Sequence, residues 1–182
     1  METKNLIIQP SRFEELDLFF NWEQKPEVTE FFSIRDGQTK EEVVRKFIQD
    51  DNDPAAIQLT ICLKEVSEDG EKRLKPIGRM VLADIEEGWK AELWRIYIAD
   101  RTLRGKGLGK EAMEAVMKYC FDELKLERLY LDHYTGNPAG YLYRSLGFKY
   151  EGVLRKNCRK NGVLYDVHLM SILRDEFYKI HC

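Results

Sequence analysis

The chain has 182 residues, enough for one sizeable core and too few for two, since a domain of this length buries roughly 70% of the surface its unfolded chain exposes. Hydrophobic residues at 43%, charged residues at 34% and a formal charge of -3 exclude a disordered polyelectrolyte and give no overall attraction to nucleic acid or anionic membrane. No apolar run approaches the roughly 20 residues that span a bilayer. The opening "METKNLIIQPSRFEEL" lacks the basic start and apolar block of a signal peptide, so a cytoplasmic protein is expected.

In chain order, "LIIQP" (6–10) reads as a first strand. "SRFEELDLFFNWE" follows as a helix, with Ser11 and Glu14 at capping-box spacing and Phe13, Leu16, Phe19, Phe20 and Trp22 on one side. "KPEVTEFFSIRDGQ" is a loop or broken helix. Thr39 with Glu42 then signals a second helix, carrying Val43, Val44, Phe47 and Ile48. From residue 55 the period changes: "AAIQLTICL" and "KPIGRMVLADI" form a hairpin around the charged "KEVSEDGEKR", and "WKAELWRIYIAD" is a third strand whose broken alternation near Arg95 predicts a bulge.

A helix is predicted over about 107–124, with Leu108, Ala112, Ala115, Val116 and Tyr119 in one stripe. "RLYLDHY" (128–134) is a strand. "NPAGYLYRSLG" is a short helix with Asn137 at the N-cap, Pro138 at N1 and Gly147 past its end. Two final strands turn about Asn161-Gly162, the strongest two-residue hairpin signal. The order of elements implies a single α+β domain over residues 1–182 with a mixed sheet. Cys62, Cys120, Cys158 and Cys182, and His133, His168 and His181, are scattered without ligand spacing, so reduced structural thiols and no metal are expected.

The stretch "DRTLRGKGLGKEAM" (100–113) sets three alternate glycines among basic residues at the mouth of a helix. A loop needing positive φ explains one of them readily. An anion held by unpaired N–H groups of the first helical turn explains all three.

These residues resemble the GNAT superfamily of acetyl-CoA-dependent N-acyltransferases, over nearly the whole chain. The family's pyrophosphate motif stands here as Arg104, Gly105, Lys106, Gly107, Leu108 and Gly109, directly after "AELWRIYIAD". "AGYLYRSLGF" is similar to the family segment holding Ala139, Tyr143, Gly147 and Phe148; the family's Asn three residues before that Ala is Gly136 here, with Asn137 one place on. The two ends of the chain look like the branch with ribosomal-protein N-terminal and polyamine or drug acetyltransferases.

The resemblance implies a GNAT-like, mostly antiparallel central sheet of about seven strands flanked by about four helices, in an α/β/α arrangement. It also implies acetyl transfer from acetyl-CoA to a primary amine without a covalent enzyme intermediate. Cofactor contacts are expected from Ile96, Tyr97 and Ile98 on the strand, from Arg104, Gly105, Lys106, Gly107, Leu108, Gly109 and Lys110 on the turn, and from Asn137 and Tyr143.

A phenol of pKa about 10 suits a thiolate of somewhat lower pKa, and the resemblance places Tyr143 as the acid for the departing thiolate, with Tyr141 and Tyr150 as nearby alternatives. Glu92 is the candidate base for the amine, its alternative being a strand-face carboxylate paired with a cation. Asp166 either binds an acceptor ammonium or pairs within the hairpin. Trp22, Phe31 and Phe32 either wall the acceptor or pack the core. The basic tip "RKNCRK" (155–160) is either solvated or an anion contact. The acceptor is a small-molecule amine or a protein N-terminus; neither membrane nor nucleic acid is expected as a partner, and edge strands leave a homodimer open. A non-catalytic CoA-binding or regulatory module is the alternative function.

Overall fold

The protein's structure, a computed structural model, describes residues 1–66 and 69–181. Ser67 and Glu68, in the charged loop, and Cys182, counted above among the thiols, lie outside the described residues. The strands are β1 (Leu6–Pro10), β2 (Ile57–Val66), β3 (Lys72–Glu86), β4 (Lys90–Ile98), β5 (Arg128–Tyr134), β6 (Lys149–Lys160) and β7 (Val163–Leu173). The helices are α1 (Leu16–Glu23), α2 (Pro26–Thr29), α3 (Lys40–Asp51), α4 (Leu108–Asp122), α5 (Ala139–Ser145) and α6 (Arg174–His181). One sheet runs in the order β1-β2-β3-β4-β5-β7-β6, and only β4 and β5 are parallel. This is the mixed, mostly antiparallel seven-stranded sheet expected; α2 and α6 add to the four helices read from the sequence.

The sheet separates two cores. One packs α4, α5 and α6 on Ala91, Leu93, Leu129 and Leu131. The other packs α1 and α3 on Tyr97 and Ala99. Odd-numbered residues of β4 therefore change sides along the strand. The cause is the bulge: Val81 pairs with Arg95 and Leu82 with Leu93, leaving Trp94 extra, and one inserted residue flips every later side chain.

Local signals hold where the chemistry is short-range. Thr39 Oγ1 accepts from Glu42 N–H at 3.3 Å and Glu42 returns the contact to Thr39 N–H at 2.7 Å, closing the capping box of α3. Asn161 (φ 50°) and Gly162 (φ 81°) turn the last hairpin in the left-handed region. The Ser11 and Glu14 box does not form. Ser11 Oγ instead meets Thr60 Oγ1 at 3.0 Å, and it is Glu15 that accepts from Arg12 N–H, because a 3-10 turn over Phe13–Glu15 precedes α1. On α4 the buried stripe is Leu108, Ala112, Met113, Val116, Met117, Cys120 and Phe121; Ala115 and Tyr119 flank it.

Asp166 pairs within the hairpin. Three residues of β6, 155–157, bulge opposite it, and its carboxylate accepts from Lys156 N–H at 2.7 Å, satisfying a backbone donor that the bulge leaves without a strand partner. The basic tip is only partly solvated. Lys160 is buried, donating to the Thr29 carbonyl at 2.6 Å and pairing with Asp36 at 3.3 Å, which fastens the hairpin to α2. Cys62, Cys120 and Cys158 are free thiols.

Candidate active site

Parallel pairing of β4 with β5 covers only Lys90–Glu92 against Arg128–Tyr130. Beyond that point β4 runs on to Ile98 and β5 to Tyr134 without partnering each other, so the strands splay. A cleft of about 840 Å³ fills the gap, and the residues lining it include Ile96, Tyr97 and Ile98. The six steps of strand from Glu92 to Ile98 give it a length of roughly 20 Å.

At the far end of β4, Asp100 Oδ1 accepts from Thr102 N–H at 2.8 Å and starts a single 3-10 turn. The glycine turn follows. Gly105 (φ 74°) and Gly107 (φ 82°) are left-handed, so these two positions require glycine for backbone reasons. Gly109 is helical and carries no such need. A Cβ added at any of the three would meet nothing within 4 Å, and all three line the cleft. The N-terminus of α4 has no side-chain cap, in contrast to α3. Free first-turn donors, the helix dipole and the neighbouring Arg101, Arg104 and Lys110 together make an anion cradle.

The expected cofactor residues divide. Ile96, Tyr97, Ile98, Arg104, Gly105, Gly107, Gly109, Lys110, Asn137 and Tyr143 all line the cleft. Leu108 turns its side chain into the core and Lys106 points to solvent, so neither side chain lines it. Asn137 caps α5, its Oδ1 accepting from Ala139 N–H at 2.9 Å. Phe31 and Phe32 wall the cleft, whereas Trp22 is buried in the α1–α3 core.

Tyr143 is buried on α5, its ring 5.9 Å from His133 and 6.1 Å from Phe148. Burial, with the Asp132 carboxylate nearby, pushes its phenol up to about 12, so it carries its proton at neutral pH. Glu92 is half-buried. Desolvation first, then the charges of Asp132 and Asp84, push its carboxyl up to about 7, within the range useful to a base.

Asp132 was not singled out in the sequence, yet it lines the cleft and bears on both candidates. Its signal was the alternation of β5: Leu129 and Leu131 are core, so Tyr130 and Asp132 share the opposite face. Arg101, Glu27, Glu30 and Leu142 also line the cleft and were likewise missed, and Asn157 and Cys158 bring the 155–160 tip to it. No helix among the described residues is long and apolar enough to cross a membrane.

Two parallel strands part around a cleft that ends at an uncapped glycine-rich helix start, a site shaped for a long ligand with an anionic end. A family model described as an acetyltransferase (GNAT) domain matches residues 5–149. The chain belongs to the GNAT acetyltransferase family, and it is an acetyl-CoA-dependent acyltransferase.

It is 30% identical over 181 residues, 96% of either chain, to "Uncharacterized N-acetyltransferase p20" of Bacillus licheniformis. It is 34% identical over 113 residues to the spermidine N(1)-acetyltransferase of Vibrio cholerae, covering 62% of this chain and 64% of that one. A crystal structure of spermidine N-acetyltransferase from Vibrio cholerae in complex with CoA and spermine superposes with a TM-score of 0.79 at 25% identity, covering 97% of this chain and 99% of that one.

Proposed function

We propose that the acceptor is a flexible polyamine-like cation. The observation that carries this reading is the division of charge along the cleft. Arg101, Arg104 and Lys110 sit on the glycine turn, whereas Glu27, Glu30, Glu92 and Asp132 line the rest beside the rings of Phe31 and Phe32. An ammonium chain is attracted by carboxylates and by ring faces alike. The Vibrio cholerae spermidine N-acetyltransferase supports the same acceptor class.

Acetyl-CoA supplies the activated acetyl group as its thioester. The glycine turn and Arg104 hold the diphosphate end, with Lys110, and Ile96, Tyr97 and Ile98 offer the unpaired edge of β4 to the pantetheine arm. Glu92, held near neutrality, takes the proton of the amine directly or through a water. As the amine nitrogen bonds to the thioester carbonyl carbon, the carbon–sulfur bond breaks. Tyr143, kept protonated by burial, donates to the departing sulfur, and the proton taken up by Glu92 returns through solvent to the tyrosinate. The chain works as one catalytic domain in the cytoplasm; a homodimer through the outer edge of β6, the last strand of the sheet, belongs to the same proposal.

The test is an amine panel followed by release of CoA thiol. Spermidine and spermine are expected to exceed peptide N-termini by at least about tenfold in kcat/KM, the equivalent of roughly 1.4 kcal/mol. Peptides winning that comparison would overturn the acceptor class. Tyr143→Phe is expected to lower kcat by about 100-fold or more with CoA affinity nearly unchanged; an unaltered rate would remove the acid role.

A further inference from the structure

Behind the cleft, on the α1–α3 side of the sheet, lies a second cavity of about 240 Å³ lined by Glu23, Arg35, Gln38, Glu42, Lys46, Arg79 and Arg95, with Val43. Its floor is a buried charged cluster. Glu23 Oε1 accepts from Arg79 at 3.1 Å, from Arg95 at 2.7 Å and from the Tyr97 hydroxyl at 3.1 Å. Arg79 also donates to Gln58 Oε1, and Gln58 is held in turn by the Phe47 carbonyl at 3.0 Å.

Two guanidiniums thus share one carboxylate, at exposures of 2% for Arg79 and 5% for Arg95. At the rim, Arg35 pairs with Glu42 and Lys46 with Asp50, so each rim pair is neutral in itself. One positive charge remains uncompensated in the floor. Arg79 Nε, moreover, is buried without a hydrogen-bond partner among the described residues. A buried donor left unpaired costs about 1–3 kcal/mol, and more when charged. A buried excess charge is costlier still.

We infer that this cavity is a binding site for a small monocarboxylate anion, seated against Arg79 and Arg95 and screened by Arg35 and Lys46. A single negative charge matches the single surplus cation, and a planar carboxylate accepts from guanidinium N–H groups in their own plane. The volume is several times the ~30 Å³ that one water occupies, which admits an acetate-sized ion with part of its hydration.

The site adjoins the cleft through shared residues. Lys46 Nζ and the Arg95 guanidinium lie 4.9 Å and 4.6 Å from the Trp94 ring, and Trp94 lines the cleft. Tyr97 lines the cleft and donates into the cluster. The segment after α1 walls both spaces, Glu27, Glu30, Phe31 and Phe32 facing the cleft and Arg35 and Gln38 facing the cavity. Filling the cavity therefore steadies the wall against which the acceptor packs. This inference does not depend on which amine is the acceptor.

The experiment is an NMR titration of the full chain, already saturated with CoA, with sodium acetate replacing chloride at constant ionic strength. The arginine Nε–H resonances of Arg79 and Arg95 are expected to shift saturably. In the Arg35→Ala variant, at a site about half exposed, the midpoint is expected to move at least tenfold higher. Absence of a saturable shift in the CoA-saturated protein, or an equal midpoint in the variant, would overturn the site. Tighter binding of inorganic phosphate than of acetate would overturn the carboxylate assignment.

Discussion

Arg104 Nε donates a hydrogen bond to the carbonyl oxygen of Ile98 at 3.0 Å, tying the glycine turn back onto the last residue of β4. The contact joins the two parts of the cleft that meet opposite ends of the cofactor: the strand edge and the helix mouth. Lysine keeps the charge of Arg104 and lacks the Nε–H that makes the tie. Arg104→Lys is therefore expected to raise the CoA dissociation constant about tenfold, the low end of what a hydrogen bond involving a charged group contributes. Calorimetric titration reads it directly, and an unchanged constant would reduce Arg104 to a point charge.

Gly109 separates what the fold needs from what the ligand needs. It is the second residue of α4, its φ is not left-handed, and a Cβ there has open space. Alanine is the better helix former by roughly 0.5–1 kcal/mol, so Gly109→Ala is expected to raise the melting temperature of the ligand-free protein by about 1–4 °C. The same methyl stands in the space the diphosphate needs to reach the backbone, so CoA is expected to bind more weakly. A stabilised protein with unchanged CoA affinity would show that the anion sits elsewhere. Gly107→Ala cannot make this distinction, because its φ of 82° strains any L side chain by about 1–2 kcal/mol.

What the sequence made legible were features decided within a few residues: the Thr39 cap, the Asn161-Gly162 turn, the glycine turn at Arg104 and the bulge beside Arg95. What it hid depends on partners far along the chain. Ser11 carries a good N-cap side chain, but Thr60, 49 residues away, competes for it. Glu23 ends α1 with no local signal of its role; only the sheet brings Arg79 and Arg95 onto its carboxylate. The cleft itself exists because pairing between β4 and β5 stops at Glu92 and Tyr130, and where a parallel pair parts is not written in either strand alone. Asp166 was weighed as an acceptor ligand and as a hairpin residue; the irregular register of β6 and β7 decided for the hairpin.

Glu111 laces the start of the chain to the glycine turn's helix. Its Oε1 accepts from Asn5 N–H at 2.7 Å and Thr3 Oγ1 at 2.5 Å, and its Oε2 from Asn5 Nδ2 at 2.8 Å. These contacts hold the carboxyl below its ordinary range despite some burial, so the tie weakens as pH falls and the group protonates. Glu111→Ala is expected to cost about 1–2 kcal/mol and to lower the melting temperature by roughly 2–8 °C at neutral pH. The deficit relative to the parent should narrow in acid. A constant deficit at every pH would assign the loss to packing.

Glu92 gives the sharpest pH signature. Its folded-state pKa of about 7 lies above the ordinary value of about 4.3, so the native state holds this proton more tightly than the unfolded chain does. Stability from this group is therefore fully present below about pH 4 and is lost as pH rises through 7. Glu92→Gln removes the ionisation and is expected to stabilise the protein at pH 8, by about 1–2 kcal/mol once the group's partial contact with solvent is discounted. The same change deletes the proposed base and is expected to lower kcat/KM for the amine by at least about 100-fold. In the parent, kcat/KM should rise with pH along a limb centred near 7 as the carboxylate forms. Asp132→Asn removes one of the negative charges that hold Glu92 up, so that limb should move to lower pH; a limb that stays in place would mean another group titrates there.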